Sequence, residues 1–77
     1  MEEYEIGFLR FVAARPGYTT TKGMSHWLTA ARLARPTREF SKPLVRLIPI
    51  DPKTARVELT DAGRETLKAA AFRGAHD

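Results

Sequence analysis

Hydrophobic and polar residues follow a helical period over the first part of the chain. Residues 2–14 are the first such segment, and the residues of its apolar face are Tyr4, Phe8, Phe11 and Val12. Three further apolar residues widen that face until little polar surface remains. The pattern predicts a first helix over residues 2–14, which Arg15-Pro16-Gly17 ends and which other helices or a partner subunit cover.

A second helix is predicted over residues 22–34, because apolar residues keep the same spacing there. Its expected apolar stripe is Met24, Trp27, Leu28 and Ala31, with Leu33 following at the end of the helix. We expect this stripe to face the core, with the single tryptophan packed against the first helix. Residues 18–21 precede it and predict a brief strand, since β-branched residues favour strands. Their threonines are candidates to cap the second helix or to contact phosphate.

A third helix is predicted over residues 37–47, after Arg35-Pro36 interrupts the pattern and Thr37 offers an N-cap. One of its faces would be basic and another apolar, with Arg38, Lys42 and Arg46 opposite Phe40, Leu44 and Leu47. Pro43 opposes this helix, because an internal proline removes a backbone hydrogen bond and costs about 3 kcal/mol. The alternative is a helix that ends at residue 41 or 42, followed by an extended segment.

A period of two replaces the helical period in the second half of the chain. Residues 47–50 and 55–59 flank Asp51-Pro52-Lys53-Thr54, a sequence typical of a tight turn, so a β-hairpin is predicted. Pro49 cannot donate a hydrogen bond to a sheet, which makes the first strand of the hairpin irregular or an edge.

The hairpin passes directly into a last helix, predicted over residues 61–72. Thr60 is its N-cap candidate, and Asp61 places a carboxylate in the first turn, where the helix dipole favours negative charge. Residues 74–77 are expected to fray.

The junction Leu59-Thr60-Asp61-Ala62-Gly63-Arg64 resembles the Leu-Thr-x-x-Gly-Arg segment of winged helix-turn-helix regulators of the MarR and PadR type. In that family it joins the last strand of the wing, which is the hairpin, to the following helix. The resemblance extends over roughly residues 5–71 and implies a small α+β winged helix that forms a single domain, residues 1–77. The implied order is helix, brief strand, helix, recognition helix, two wing strands and final helix.

Charge is distributed unevenly along the chain, whose net charge is +4. Residues 15–56 hold nine Lys and Arg against two acids, a net charge of +7, whereas both flanking segments are weakly acidic. A local basic patch is typical of nucleic-acid binding. Together with the resemblance, it implies a transcriptional regulator that binds double-stranded DNA. The alternative is a winged-helix interaction module that binds an acidic protein partner.

The resemblance places the expected DNA contacts in three regions. Arg38 and Lys42 of the recognition helix would face the major groove, and Lys53 and Arg56 would position the wing. The remaining expected DNA-binding residues, mostly phosphate contacts, are Thr19, Thr20, Lys22, Arg35, Thr37 and Arg46.

Motifs of other functions are absent from the sequence. It has no cysteine, no histidine pair at metal-ligand spacing and no glycine-rich phosphate loop, so we expect no metal, no cofactor and no enzymatic activity. No apolar run approaches the roughly 20 residues of a membrane span, and the acidic N-terminus is unlike a signal peptide. We therefore expect a cytoplasmic protein, and a homodimer through the apolar first helix and the last helix.

Overall fold

The computed structural model describes residues 2–74, and the side chains of residues 2–70. The elements in chain order are α1 (Glu3–Ala14), β1 (Thr19–Thr21), α2 (Ser25–Leu33), β2 (Val45–Asp51), β3 (Thr54–Leu59) and α3 (Asp61–Gly74). The class is α+β as expected, with three helices and one three-stranded antiparallel sheet in this part of the chain. The expected fraying after Gly74 lies outside the described residues.

The sheet has the strand order β1-β3-β2, so the last strand of the sequence lies in the middle. Thr20 pairs with Ala55, and Leu47 pairs with Val57. The predicted hairpin is confirmed, although β2 is longer than expected. The predicted irregularity at Pro49 is also confirmed, because the register between β2 and β3 shifts between Pro49 and Asp51.

The predicted third helix is wrong: residues 34–44 form no helix or strand. Pro36 and Pro43 leave residues 37–42 between them, fewer than two helical turns, and each proline disfavours the helical conformation of the residue before it. So short a helix has little stability of its own. The segment instead forms a loop, which the Leu44 N–H closes by donating to the Leu33 carbonyl at 2.8 Å. Arg38, Lys42 and Arg46 therefore share no helix face.

The core lies between the helices and one face of the sheet. Its most completely buried side chains are Leu9, Leu44, Val45 and Val57, and the other apolar members are Phe8, Val12, Ala30 and Leu33. The predicted apolar face of α1 is confirmed at Phe8 and Val12. Tyr4, at the other end of that face, is 52% exposed. Its hydroxyl accepts a hydrogen bond from the Arg32 guanidinium at 2.7 Å, which ties α1 to α2.

The orientation predicted for α2 is wrong. Ala30 and Leu33 face the core, whereas Met24 is 60% exposed and Leu28 is 73% exposed. Trp27 is only half-buried. This helix has apolar residues on both sides, and the side that holds Ala30 and Leu33 packs inward. The predicted stripe is left facing outward, at the helix surface.

The junction between β3 and α3 is held by Thr60 and Gly63. The Thr60 hydroxyl donates to the Pro43 carbonyl at 2.6 Å and accepts the Gly63 N–H at 3.1 Å, which confirms Thr60 as the N-cap. A Cβ on Gly63 would collide with the carbonyl oxygen of Leu44. The Thr-x-x-Gly pair therefore fixes the end of the loop of residues 34–44 against the first turn of α3.

Candidate nucleic-acid interface

Two lysines meet where the hairpin turn lies beside the turn before α2. The Lys22 N–H donates to the Lys53 carbonyl at 2.8 Å, and both side chains are exposed. Gly23, with φ of +95°, lets the chain turn from β1 toward α2 immediately after Lys22. In the hairpin turn, the Asp51 carboxylate accepts the Lys53 N–H at 2.8 Å, as expected of an Asp-Pro turn. We call Lys22 and Lys53 the wing-end lysines.

The N-terminus of α2 adjoins the wing-end lysines. Met24 occupies the N-cap, and no side chain caps the helix, so the threonines of β1 do not have the capping role considered for them. Ser25, the first residue of α2, is exposed. An uncapped helix N-terminus favours anions, because its backbone N–H groups lack acceptors and carry partial positive charge.

The three threonines of β1 differ in exposure. Thr19 and Thr21 are exposed, whereas Thr20 is 4% exposed and faces the core beside Ala55. The Thr20 hydroxyl has no hydrogen-bond partner within the described part of the chain. Because its side chain points into the protein, Thr20 cannot reach a phosphate. The phosphate contact expected of Thr20 is therefore wrong.

The loop of residues 34–44 carries a second group of cations. Arg35, Arg38 and Lys42 are exposed along it, and Arg46 is exposed at the start of β2. Lys42 and Arg46 border the same shallow cleft, in which Asp61 also lies. We call Arg35, Arg38, Lys42 and Arg46 the loop-end cations.

Thr37 stabilises this loop and caps no helix. Its hydroxyl accepts the Phe40 N–H at 3.0 Å, and its own N–H donates to the Phe40 carbonyl at 2.7 Å. Phe40 is half-buried against the core, so the pair anchors the loop to the protein. The cations on either side of Thr37 are thereby held on a short, tethered segment.

Arg56 differs from the other expected DNA contacts because it has an acidic partner. Its Nε lies 3.4 Å from Glu58 Oε2, and both side chains are about half exposed. The two residues are two apart on β3 and therefore share the outer face of the sheet. The two-residue spacing of Arg56 and Glu58 in a predicted strand already indicates that they can pair. The expected DNA contact at Arg56 did not take this into account.

Most of the cations expected to bind DNA lie outside the ion pairs found between residues 2 and 70. The ion pairs between residues 2 and 70 are Arg56 with Glu58 and Arg64 with Asp61. The wing-end lysines and the loop-end cations are in neither pair. Six exposed cations of the described chain therefore lie outside these ion pairs, although Glu58 lies directly across the sheet from Arg46 and Asp61 borders the cleft of Lys42 and Arg46. An excess of exposed positive charge favours a polyanionic ligand.

The described residues show neither a metal site nor a membrane-spanning helix. No three His, Asp or Glu side chains between residues 2 and 70 lie close enough to share a metal ion. None of α1, α2 and α3, as far as they are described, is both long and apolar enough to cross a bilayer. Comparison with protein-family models, curated proteins and solved structures finds no match to this chain.

Proposed function

We propose that this chain binds double-stranded DNA, mainly through phosphates, as a reduced winged helix that lacks a recognition helix. The observation that carries the proposal is the set of six exposed cations outside the ion pairs between residues 2 and 70, grouped as the wing-end lysines and the loop-end cations. Lysine and arginine contacts to phosphate supply most of the affinity of nonspecific DNA binding.

The positions of the two groups suit a long, regularly charged ligand. Arg46 lies at the start of β2, the other loop-end cations lie on the loop that precedes it, and the wing-end lysines lie beside the turn that follows it. A strand with the seven residues of β2 spans about 20 Å. About six base pairs of duplex have the same length, so one duplex along β2 would offer phosphates to both groups.

The strand order and the β3–α3 junction support the winged-helix resemblance. A brief first strand beside the wing is what the resemblance implies, and β1 pairs with β3 of the hairpin. Thr60 and Gly63 of the resembling segment lie where the wing meets the next helix. The missing third helix is the departure from the family pattern.

Without a recognition helix, reading of base edges should be weak. Arg38 and Lys42 lie on an irregular loop, where no helix enters the major groove. We expect Arg38 to act as a phosphate contact, so Arg38→Ala should weaken binding equally on all duplex sequences. A much larger loss on one preferred site would assign Arg38 to base reading.

The salt dependence of duplex affinity tests the proposal. Each neutralised phosphate contributes about −0.9 to the slope of log K against log salt, so four to six contacts give about −4 to −5. Lys53→Ala should flatten the slope by about one unit. Lys68→Ala is the matched control, since Lys68 is an exposed lysine on α3, outside both cation groups.

The same titration contains the outcomes that contradict the proposal. Equal effects of Lys53→Ala and Lys68→Ala would show that the wing-end lysines are not a specific contact surface. If the protein fails to bind duplex DNA even at low salt, the proposal that it binds DNA is wrong. The alternative winged-helix module, which binds a protein partner, would then be the remaining hypothesis.

A further inference from the structure

The outward face of α2 is apolar. Its residues are Met24, Trp27, Leu28 and Ala31, which we call the α2 stripe. Met24 is 60% exposed and Leu28 is 73% exposed, while Trp27 and Ala31 are half-buried. Large apolar side chains that lie together at the surface mark interaction sites far more often than the same side chains scattered singly.

The stripe has the spacing of a buried helix face. Its members lie at positions i, i+3, i+4 and i+7, the pattern by which one helix packs on another element. The opposite side of the helix already packs on the core through Ala30 and Leu33. A helix that is apolar on both sides is normally covered on both sides. Within the described chain the stripe is therefore the side of α2 that is left without full cover, most of all at Met24 and Leu28.

Positive charge borders the stripe at both ends. Lys22 Nζ lies 5.8 Å from the Trp27 ring centroid at the N-terminal end. Arg32, held by the Tyr4 hydroxyl, lies at the C-terminal end, and Arg35 follows. The sequence has no Asp or Glu from Ile6 through Arg38. An apolar strip between cations is complementary to a helix with an apolar face and acidic flanks.

We propose that the α2 stripe is a docking surface for an amphipathic acidic helix of a partner protein. Leucine-like side chains of that helix would cover Met24 and Leu28, and its carboxylates would meet Lys22, Arg32 and Arg35. A second copy of this chain fits less well, because a symmetric contact would oppose these cations to themselves. This surface shares Lys22 and Arg35 with the proposed DNA contacts, but its centre is the apolar α2 stripe, and the inference does not rest on DNA binding.

The test uses a designed peptide and the intrinsic fluorescence of Trp27, the only tryptophan. The peptide has about 18 residues, with leucine on one helical face, glutamate on the others and no tryptophan. Two comparison peptides are a shuffled sequence of the same composition and a version with lysine in place of glutamate. We expect saturable binding of the acidic amphipathic peptide, with a change in Trp27 emission, and no comparable binding of the other two.

Variants then locate the binding surface. Met24→Ser combined with Leu28→Ser should weaken peptide binding about tenfold or more, because these side chains form the centre of the contact. Both residues are exposed, so circular dichroism and thermal melting should show that the fold is kept. Ile50→Ser is the matched control: Ile50 is 58% exposed but lies on β2, and its substitution should change affinity less than about twofold.

Four results would overturn the proposal. The first is no binding of the acidic peptide, and the second is equal binding of the shuffled or lysine peptide. A third is an equal loss of affinity in the Ile50→Ser control. The fourth is self-association that the paired serine substitutions abolish, which would make a second copy the occupant. None of these results depends on duplex binding, so failure here and failure of the DNA proposal are distinguishable.

Discussion

Gly63 and Gly7 are both helical glycines, and their substitution should have opposite effects. A Cβ at Gly63 collides with the Leu44 backbone, whereas a Cβ at Gly7 has no atom within 4 Å. We expect Gly63→Ala to destabilise the protein by at least about 2 kcal/mol, since backbone has to move. Gly7→Ala should stabilise it by about 0.5–1 kcal/mol by restricting the unfolded chain.

Urea denaturation of the two alanine variants measures both free energies of unfolding. Equal changes in the two variants would contradict the close approach of Gly63 to Leu44. A Gly63→Ala variant more stable than the parent protein would contradict this close approach more directly. Circular dichroism of each folded variant is the control, because it shows whether α1 and α3 keep their helical content.

At the residue scale, the sequence predicts interactions between residues that are close along the chain. It does not predict contacts between residues that are distant along the chain. The sequence predicts Thr60 as an N-cap, because its hydroxyl acts on an N–H only three residues away. The role of Gly63 depends on Leu44, which no local pattern connects to it. Thr20 was assigned to phosphate by resemblance, and its burial follows from pairing with Ala55 across the sheet.

At the element scale, hairpin and helix boundaries were largely predictable, while residues 34–44 were not. The apolar and basic spacing there favours a helix, and two prolines oppose it. The balance is decided by the hydrogen bond from Leu44 to Leu33 and by the Thr60 hydroxyl on Pro43. Each bond has one partner outside the segment, so the prolines of the segment disfavour a helix but do not specify the loop that forms instead.

Amide hydrogen exchange distinguishes this loop from a helix. The Leu44 N–H is buried and bonded to Leu33, so it should exchange slowly, near the rate set by global unfolding. The amides of Arg38 and Lys42 are in an exposed loop without helical bonds and should exchange fast. Slow exchange of all amides in residues 38–42 would instead indicate the helix that the sequence pattern favours.

The rotation of α2 about its axis was also beyond sequence reasoning. Two stripes at helical spacing compete, one through Trp27 and Leu28 and the other through Ala30 and Leu33. The larger side chains suggested the first as the core face. Packing selects the second, where small Ala30 lets the helix lie close to the sheet.

At the scale of the whole molecule, net charge and its placement matter more than single contacts. Glu58→Gln removes the carboxylate that pairs with Arg56 and that lies directly across the sheet from Arg46. We expect duplex DNA to bind more tightly at low salt, with a slope steeper by up to about one unit. Folding stability should change little, since half-exposed ion pairs contribute at most about 1 kcal/mol.

The control for Glu58→Gln is Glu65→Gln, which removes an exposed carboxylate on α3. It changes the net charge equally but leaves Arg56 paired. An affinity that rises equally in both variants would indicate a general charge effect. An unchanged affinity for Glu58→Gln would place Arg56 away from the bound duplex.

The homodimer expected through α1 and the last helix stays a prediction. Tyr4 is the large apolar residue that α1 exposes within the described chain. Sedimentation at micromolar concentration should give twice the monomer mass, and Tyr4→Ala should shift the equilibrium toward monomer. A monomer at every concentration would contradict the dimer.

The central position of β3 also governs when this protein can fold during its synthesis. β1 and β2 leave the ribosome first, yet each pairs with β3 and neither pairs with the other in the sheet order β1-β3-β2. No strand has a partner until residues 54–59 have emerged, and Thr60, whose hydroxyl donates to the Pro43 carbonyl, follows at once. A product of translation that stops before Thr54 would have no sheet to cover α1, and proteases that degrade unfolded chains would remove it.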